Sequence, residues 1–292
     1  MSLFDAARQC LDAVEVDEKI ALTQQFTGPG ALDGLGLRAT SAPLPITVPG
    51  RPARPRLVAP RNVARRALGS SEGRAALVHA VAHIEFNAIN LAWDAVYRFR
   101  GMPHDYYRDW AQVAADEARH FGLLKVRLAE LGYGYGDFDA HDGLWEMAVK
   151  TADSCLARMA LVPRVLEARG LDVTPGMIVR LERAGDRVTA EILEVILAEE
   201  VAHVAAGSRW FEWCCANAGL DPEVTFAKLL ETNLIRPQKG PFNVDARRRA
   251  GFSRAELARM HDAWSRAVAQ PTPDTLGDRP VRAAAGATES GS

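Results

Sequence analysis

The feature that most constrains the fold is a pattern of ionisable residues that occurs twice along the chain. A single glutamate in one apolar, helix-like stretch is followed in the next such stretch by the motif Glu-x-x-His. The six residues of the two copies are Glu85, Glu117, His120, Glu167, Glu200 and His203. An unpaired carboxylate in an apolar environment is costly, so a fold that accepts this pattern must compensate the charges.

The six residues fall in the middle of apolar stripes when each segment is drawn as a helix with ~100° between residues. In the first segment, Glu85 shares its face with Val78 and Ile89. The pair His79 and His83, whose i, i+4 spacing would suit a metal ion, falls instead on the opposite, polar face. We therefore rank this pair below the six residues as a candidate metal site.

Divalent metal ions are the compensation that this pattern favours. A lone glutamate in a helical stripe is usually a boundary residue, and a lone inward histidine is usually hydrogen-bonded in a core. Six such residues in matched order, with no lysine or arginine at comparable positions, instead indicate a metal centre. Glutamates and Glu-x-x-His motifs on four helices are the ligands of dinuclear carboxylate sites in ferritin-like bundles.

The predicted fold is all-α: a ferritin-like four-helix bundle with a dinuclear carboxylate metal site. No segment alternates between polar and apolar residues for long enough to predict a β-sheet. The predicted cofactor is a pair of iron ions, with manganese as an alternative in one or both positions, because mixed carboxylate and imidazole ligands suit these metals. A structural zinc site would be expected to use thiolates, and none is placed in the pattern.

Two further acids, Asp116 and Glu199, immediately precede the glutamates of the two Glu-x-x-His motifs. A histidine that binds a metal usually donates its second N–H to a carboxylate or a carbonyl. Asp116 and Glu199 are therefore candidate partners of the histidines across the bundle. The alternative is that both acids are exposed to solvent at a helix edge.

The chain is expected to divide into four segments. They are an N-terminal helix with a Pro/Arg-rich arm (1–66), the bundle (67–235), a C-terminal helical extension (236–270) and a disordered tail (271–292). Residues 3–27 are expected to form a helix with a break within it. Pro163 is expected to kink the third bundle helix, one turn before Glu167. That helix is expected to end where Gly170 and Thr174-Pro175-Gly176 follow.

The arm is rich in proline and arginine, and its arginines are Arg51, Arg54, Arg56, Arg61, Arg65 and Arg66. Its prolines predict an extended course over the surface. We expect its arginines to pair with acidic helix faces and the arm to cover one side of the metal cavity. A basic patch for a phosphate-bearing substrate is the alternative. Nucleic acid is disfavoured as a partner because no aromatic residues interleave and the net charge is −2.

The composition predicts a cytoplasmic protein without a membrane partner. The sequence has no run of about 18 apolar residues, and its first residues lack the features of a secretory signal peptide. Its four cysteines have no zinc-type spacing, and the adjacent Cys214 and Cys215 would close only a strained ring. We therefore expect reduced thiols rather than a disulfide framework.

Several long segments resemble an uncharacterised bacterial family of ferritin-like proteins. The segments are HAVAHIEFNAINLAWDAVYRF, VAADEARHF, AHDGLWEMA, RMALVPRVLEARGLDVTPGM and EVAHVAAGSRWF, and they lie between Gly69 and Phe252. More distantly, the chain is similar to tRNA-modifying diiron hydroxylases and to rubrerythrins. The resemblance implies that the same six residues bind metal, and it implies no particular substrate.

These observations favour a non-haem diiron oxidoreductase that uses O₂ to hydroxylate or desaturate an unidentified organic substrate. Two electrons must come from an external donor or reductase, because the sequence has no flavin or nicotinamide fingerprint. Iron oxidation or peroxide scavenging is the first alternative, and a non-catalytic metal-binding bundle is the second. A typical rubrerythrin is disfavoured because the chain has no rubredoxin-like site of four cysteines.

Overall fold

The computed structural model describes residues 1–38, 41–64, 66–233 and 238–269, and within these ranges the protein is entirely helical or irregular. The only pairings of extended backbone in these ranges are two isolated bridges. The predicted all-α class is therefore confirmed. Arg65 and the tail predicted to be disordered at 271–292 lie outside the described residues.

The described helices are, in chain order, α1 (Leu3–Asp12), α2 (Val16–Thr27), α3 (Ser71–Arg98), α4 (His104–Glu130), α5 (Gly143–Lys150), α6 (Cys155–Leu161), α7 (Ala168–Arg183), α8 (Arg187–Ala218), α9 (Pro222–Asn233), α10 (Val244–Arg249) and α11 (Arg254–Ala269). A π-helical turn, Val162–Glu167, joins α6 to α7. Short 3₁₀ turns lie at Leu32–Gly34 and Pro60–Asn62.

Four long helical segments pack together: α3, α4, α8 and the segment made of α6, the π-helical turn and α7. α3 pairs with α4, α7 pairs with α8, and α4 also contacts α8. Asp109 of α4 meets Arg209 of α8 near one end of that contact. Arg127 of α4 meets Asp186 at the other end, so α4 and α8 run antiparallel. Their middle turns, which carry the two Glu-x-x-His motifs, therefore face each other.

Several helix boundaries follow capping residues in the sequence. Ser70 is the N-cap residue of α3 and accepts a hydrogen bond of 3.0 Å from Gly73 N. Gly219 ends α8 with φ of 66°, a left-handed conformation that glycine adopts without strain. α8 itself spans Arg187–Ala218.

The third bundle helix, for which the sequence predicts a start near Leu144, begins later, at Cys155. Residues 151–154 form a turn between α5 and α6. Ser154 caps α6 by accepting a hydrogen bond of 3.1 Å from Ala157 N. Pro163 lies in the π-helical turn, so the distortion predicted at this proline takes the form of a wider helical turn that ends at Glu167.

The same helix also ends later than predicted, because α7 continues through Gly170 and Pro175. Its apolar face, formed by Leu171, Ile178 and Leu181, is buried in the core. Burial of an apolar face stabilises the helix by more than one glycine and one proline destabilise it. The helix end expected at this proline is therefore wrong.

α3 is buried around most of its circumference. Among the described residues it is the one helix whose length and apolar composition would fit a membrane span, and 78% of that apolar window is buried inside the protein. Its predicted polar face is buried too, since His79 is 0% exposed and His83 is 7% exposed. α1, the arm and the loop between α4 and α5 cover this face. α3 is therefore a core helix with an interior hydrogen-bonding face.

The N-terminal helices are packed into the same core. The predicted break lies between α1 and α2, and α1 packs on α3 while α2 packs on α4. Phe4 and Leu11 are buried. Lys19 donates a hydrogen bond of 2.7 Å to Asn90 Oδ1 of α3, and both side chains are buried. These contacts cover the hydrogen-bonding face of α3 with the first residues of the chain.

The arm packs on the side of α3 that faces away from Glu85. Its residues Pro49 and Pro55 line a small cavity together with His83 of α3. On a helix, His83 lies ~160° around the axis from Glu85. The expectation that the arm covers the metal cavity is therefore wrong for its described residues, because its prolines pack on the opposite face.

Among the described residues of the arm, three arginines form ion pairs. The pairs are Arg51 with Asp142, Arg56 with Asp139 and Arg66 with Glu72. Asp139 lies in the loop between α4 and α5, and Asp142 is the N-cap residue of α5, so only Glu72 is an acid of a long bundle helix. The pairs tie the arm to this loop, where the bridge between Leu57 and Ala140 also lies.

Buried ion pairs connect the C-terminal helices to the bundle. Arg164 of the π-helical turn donates to both carboxylate oxygens of Glu256 on α11, at 2.8 and 2.9 Å. Arg247 of α10 meets Asp172 of α7 at 2.7 Å. Removing one partner of such a pair leaves an uncompensated buried charge, so each pair fixes where two elements meet. The π-helical turn that ends at Glu167 is therefore held in place by α11.

Candidate metal centre

The structure brings the six predicted residues close together in one cluster, and all of them except the partly exposed Glu200 are buried. They come from α3 (Glu85), α4 (Glu117 and His120), the π-helical turn (Glu167) and α8 (Glu200 and His203). One ligand atom from each of four residues lies within 4.8 Å of the other three, the four being Glu85, Glu117, His120 and Glu200. His120 is 0% exposed and Glu117 is 1% exposed, so the middle of the cluster is shielded from solvent.

Glu117 lies between the two histidines. Its Oε2 atom is 3.4 Å from His120 Nδ1, and its Oε1 atom is 3.0 Å from His203 Nδ1. His120 Nδ1 is also 3.2 Å from Glu85 Oε2. His203 Nδ1 is likewise 3.3 Å from Glu200 Oε1. The cluster therefore has two similar halves that share Glu117.

Glu167 lies at the edge of this cluster. It is 9% exposed, and burial together with the charges of Glu200 and Glu117 raises the pKa of Glu167 to about 8. Its Oε2 atom is buried and has no hydrogen-bond partner among the described residues. Glu167 thus lies near enough to interact electrostatically with both carboxylates, and it keeps an oxygen available for a ligand.

Four buried atoms of the cluster lack hydrogen-bond partners among the described residues. They are both carboxylate oxygens of Glu117, Oε2 of Glu167 and Nδ1 of His203. His203 Nδ1 and Glu117 Oε1 are 3.0 Å apart, but the direction of their approach does not make a hydrogen bond. Buried polar atoms are normally satisfied, so these atoms need another partner. Carboxylate oxygens beside an imidazole nitrogen fit iron or manganese ions.

Burial and mutual repulsion keep protons on carboxyl groups of the metal-free cluster. Burial, and then the charge of Glu117, raise the pKa of Glu85 well above its ordinary value. Burial and the same charge raise the pKa of Glu200. Burial opposes ionisation of Glu117 too, but the neighbouring carboxyl group of Glu85 and the charge of His203 lower the pKa of Glu117. Glu117 is therefore the carboxylate that stays charged.

The same network raises the pKa values of both histidines. Burial would lower the pKa of His120, but the nearby carboxylates of Glu117 and Glu85 raise it to about 10. Burial also opposes the charge on His203, and the charges of Glu117 and Glu200 raise its pKa well above the ordinary value. Both imidazoles are therefore protonated near neutral pH in the metal-free protein. A metal ion must displace a proton from each histidine that it binds.

Asp116 and Glu199 contact the two histidines crosswise. Glu199 of α8 lies 2.7 Å from Nε2 of His120 on α4. Asp116 of α4 lies 3.3 Å from Nε2 of His203 on α8. Each histidine therefore has Nδ1 toward the cluster and Nε2 toward an outer carboxylate. Such contacts fix the orientation of an imidazole and increase its basicity as a metal ligand.

Arg119 is a residue of this site that the sequence pattern does not indicate. Its guanidinium group contacts both outer carboxylates, at 3.4 Å from Asp116 Oδ1 and in a hydrogen bond to Glu199 Oε2. The spacing from Asp116 to Arg119 is that of a helical ion pair, which is a common surface feature. The contact with Glu199 joins α4 to α8, so only the packing of the two helices reveals it.

The histidine pair that the sequence ranked lower lies apart from the cluster. His83 Nδ1 is 2.9 Å from the Tyr135 hydroxyl, and His83 Nε2 is 3.1 Å from the His141 carbonyl oxygen. His79 Nε2 accepts a hydrogen bond of 2.9 Å from Gly136 N. Burial lowers the pKa of both His79 and His83 to about 4. These neutral histidines hold the loop between α4 and α5 on α3.

Comparisons with known proteins are consistent with one family over most of the chain. Residues 12–258 match the family described as "Protein of unknown function (DUF455)", a range that contains all six residues of the cluster. An uncharacterised protein of Haemophilus influenzae is 46% identical over 213 residues, which cover 70% of this chain and 74% of that protein. No solved structure matches the chain.

Proposed function

The chain belongs to this DUF455 family, and from that premise we propose that it is a ferritin-like four-helix bundle that binds two metal ions. The observation that carries the proposal is the cluster of six side chains from four helical segments, with four buried atoms that lack partners among the described residues. Iron is the proposed metal, with manganese as the alternative in one or both positions.

The two halves of the cluster define which residues would hold each ion. Glu85, Glu117 and His120 would hold one ion. Glu117, Glu200 and His203 would hold the other, so that Glu117 is shared. Glu167 would add its oxygen beside Glu200. Asp116 and Glu199 would keep the imidazoles in place through Nε2.

We propose that the protein is an O₂-dependent oxidoreductase that hydroxylates or desaturates an organic substrate, with electrons from an external donor. A bound iron pair supplies one-electron redox chemistry and a binding site for O₂. The chain supplies anionic oxygen ligands, which favour oxidised metal, and a centre from which bulk water is excluded. A groove of about 660 Å³ lies between α2, α4 and α8 and is lined by Asp116, which contacts His203. Its volume is of the size that organic ligands occupy, which supports an organic substrate.

Iron oxidation or peroxide scavenging is a second candidate, and the burial of the cluster favours it. His120 and Glu117 are 0% and 1% exposed, and a site so enclosed suits a substrate as small as Fe²⁺ or H₂O₂. The two candidates share the metal centre and differ in what is oxidised. O₂ consumption that depends on an added organic compound would select the first, and consumption driven by Fe²⁺ or peroxide alone would select the second.

Anaerobic titration with Fe²⁺ tests the metal centre. We expect two equivalents of Fe²⁺ to bind per chain, and a subsequent O₂ pulse to produce an absorbance change in a stopped-flow instrument. His120→Ala and His203→Ala should each reduce the bound iron, because each removes a ligand of one half of the cluster. His104→Ala, at an exposed position where α4 begins, is the control. If both cluster variants retained two irons with unchanged affinity, the ligand assignment would be wrong.

A further inference from the structure

The outer edge of the cluster is bridged by a single arginine. Arg119 contacts Asp116 on its own helix and Glu199 on α8. The same two carboxylates contact the Nε2 atoms of His203 and His120. Each imidazole therefore joins an outer carboxylate to the buried cluster, and Arg119 joins the two outer carboxylates to each other.

This bridge is more exposed to solvent than the cluster behind it, in which the side chain of Glu200 is 12% exposed. The side chains of Asp116, Glu199 and Arg119 are 23%, 36% and 46% exposed. Asp116 and Arg119 line the groove of about 660 Å³. The imidazole of His120, directly behind Glu199, is 0% exposed. An ion that approaches from the groove therefore meets Asp116 and Arg119 before it meets any residue of the cluster.

We propose that Asp116 and Glu199 form an entry port for divalent cations and that Arg119 closes it, an inference that rests on the proposed metal centre. Two carboxylates with no cation between them would attract a metal ion, and the guanidinium group occupies the position between them. Arg119 therefore blocks this position. Its side chain is long and nearly half exposed, so it can leave the bridge without disturbing the core.

A port residue has a kinetic signature that a ligand or a structural residue lacks. Arg119 lies outside the cluster and carries no lone pair for a cation. Removing the hydrogen bonds of Arg119 therefore lowers the free-energy barrier for cation entry and the barrier for cation exit by the same amount. The affinity of the cluster for the cation stays nearly unchanged. A residue that orients the histidines would instead change affinity and stoichiometry.

The test measures Co²⁺ uptake by the full-length protein from its visible absorbance, and Co²⁺ release into excess chelator. Arg119→Gln should increase the rate of Co²⁺ uptake and the rate of Co²⁺ release by about tenfold. This factor corresponds to the free energy of one lost charge-assisted hydrogen bond. Its Kd and stoichiometry should match the wild type. Arg119→Lys keeps the positive charge but cannot contact both carboxylates as a guanidinium group does. Its rates should therefore lie between those of the wild type and those of Arg119→Gln. Glu199→Gln keeps an acceptor for His120 and removes a port charge, so its uptake should be slower.

Arg209→Gln is the matched control, because Arg209 is an exposed arginine on α8 that pairs with Asp109 far from the port. It removes the same charge and should leave both rates unchanged. The port is overturned if Arg119→Gln behaves like Arg209→Gln, or if its affinity falls without a joint increase in the two rates. If the wild type binds no Co²⁺, the proposed metal centre fails and the port fails with it. If the wild type binds Co²⁺ and Arg119→Gln leaves the uptake and release rates unchanged, the port is overturned and the proposed metal centre stands.

Discussion

Glu117 and its two histidines set the proton balance of the cluster. In the metal-free protein Glu117 is charged, and both imidazoles are protonated beside it. Two neighbouring carboxyl groups, Glu85 and Glu167, have pKa values raised by burial and by the charge around them. Protons on these groups therefore supply the positive charge that bound metal ions would otherwise supply.

Metal binding should release at least about two protons per chain at pH 7, from Glu167 and His120, whose pKa values are raised to about 8 and about 10. The raised pKa values of Glu85, Glu200 and His203 act in the same direction. These groups must lose protons to bind metal, so affinity should weaken as pH falls. It should strengthen as pH rises through about 8, where Glu167 titrates, and about 10, where His120 titrates. Calorimetry in buffers with different ionisation enthalpies measures the release. Fewer than about two protons would contradict the proton balance described here.

The outer carboxylates should matter for affinity as well as for access. Glu199→Ala removes the acceptor that fixes His120 at Nε2, and loss of such a partner typically weakens metal binding by about 10- to 100-fold. Glu194→Ala, at an exposed position on the same helix, is the control and should bind metal like the wild type. Equilibrium titration with a competing chelator measures both. Equal affinities for the two variants would show that Glu199 does not position His120.

At the scale of elements, Glu167 depends on how closely the π-helical turn approaches α8. Gly207 of α8 lies against Pro163, and a Cβ atom at position 207 would be 2.3 Å from Pro163 Cγ. Any side chain there would push apart two elements that carry parts of the cluster. The glycine is therefore required by the contact between helices, and not by the conformation of its own backbone.

Gly207→Ala should lower the free energy of unfolding by about 1–3 kcal/mol, the usual effect of overpacking a core. It should also weaken metal binding by displacing Glu167. Gly176→Ala is the control: a Cβ atom there meets nothing within 4 Å, and alanine in a helix should stabilise by about 0.5–1 kcal/mol. Urea denaturation measures both. If both variants changed the free energy of unfolding in the same direction, the close contact between Gly207 and Pro163 would not be what requires a glycine at position 207.

At the scale of the whole molecule, the N-terminal helices complete the core around α3. The buried side chains of Phe4 and Leu11 pack there, and Lys19 reaches Asn90. Trp93 of α3 donates a hydrogen bond of 3.0 Å to Thr23 of α2. Removing α1 and α2 would expose apolar surface and leave buried polar groups of α3 without partners.

Deleting residues 1–27 should therefore abolish cooperative unfolding, because it removes several buried side chains worth about 1.5–3 kcal/mol each from a total stability of about 5–15 kcal/mol. Point variants separate this loss from a general effect of truncation. Leu11→Ala, at a buried position, should destabilise by about 2–5 kcal/mol. Val14→Ala, at a position 48% exposed, should change stability by less than about 0.5 kcal/mol. A truncated protein that still unfolds cooperatively would show that α1 and α2 are dispensable.

The sequence by itself determined which faces of the helices turn inward. Glu85, Glu117 and His120 sit in apolar stripes, and the amphipathic period places each stripe in the core whatever covers it. Ser70 and Gly219 mark helix ends through hydrogen bonds and backbone conformations that involve only their own neighbours. Features of this kind are local, so they can be predicted without knowledge of the rest of the chain.

Only the tertiary structure decided which segments meet. The continuation of α7 through Pro175 and the burial of His83 depend on surfaces supplied by distant parts of the chain. The crosswise contact of Asp116 with His203, and the bridge from Arg119 to Glu199, depend on the antiparallel alignment of α4 and α8. A helix period tells which residues share a face, but the partner of that face is chosen by the free energy of packing the whole chain.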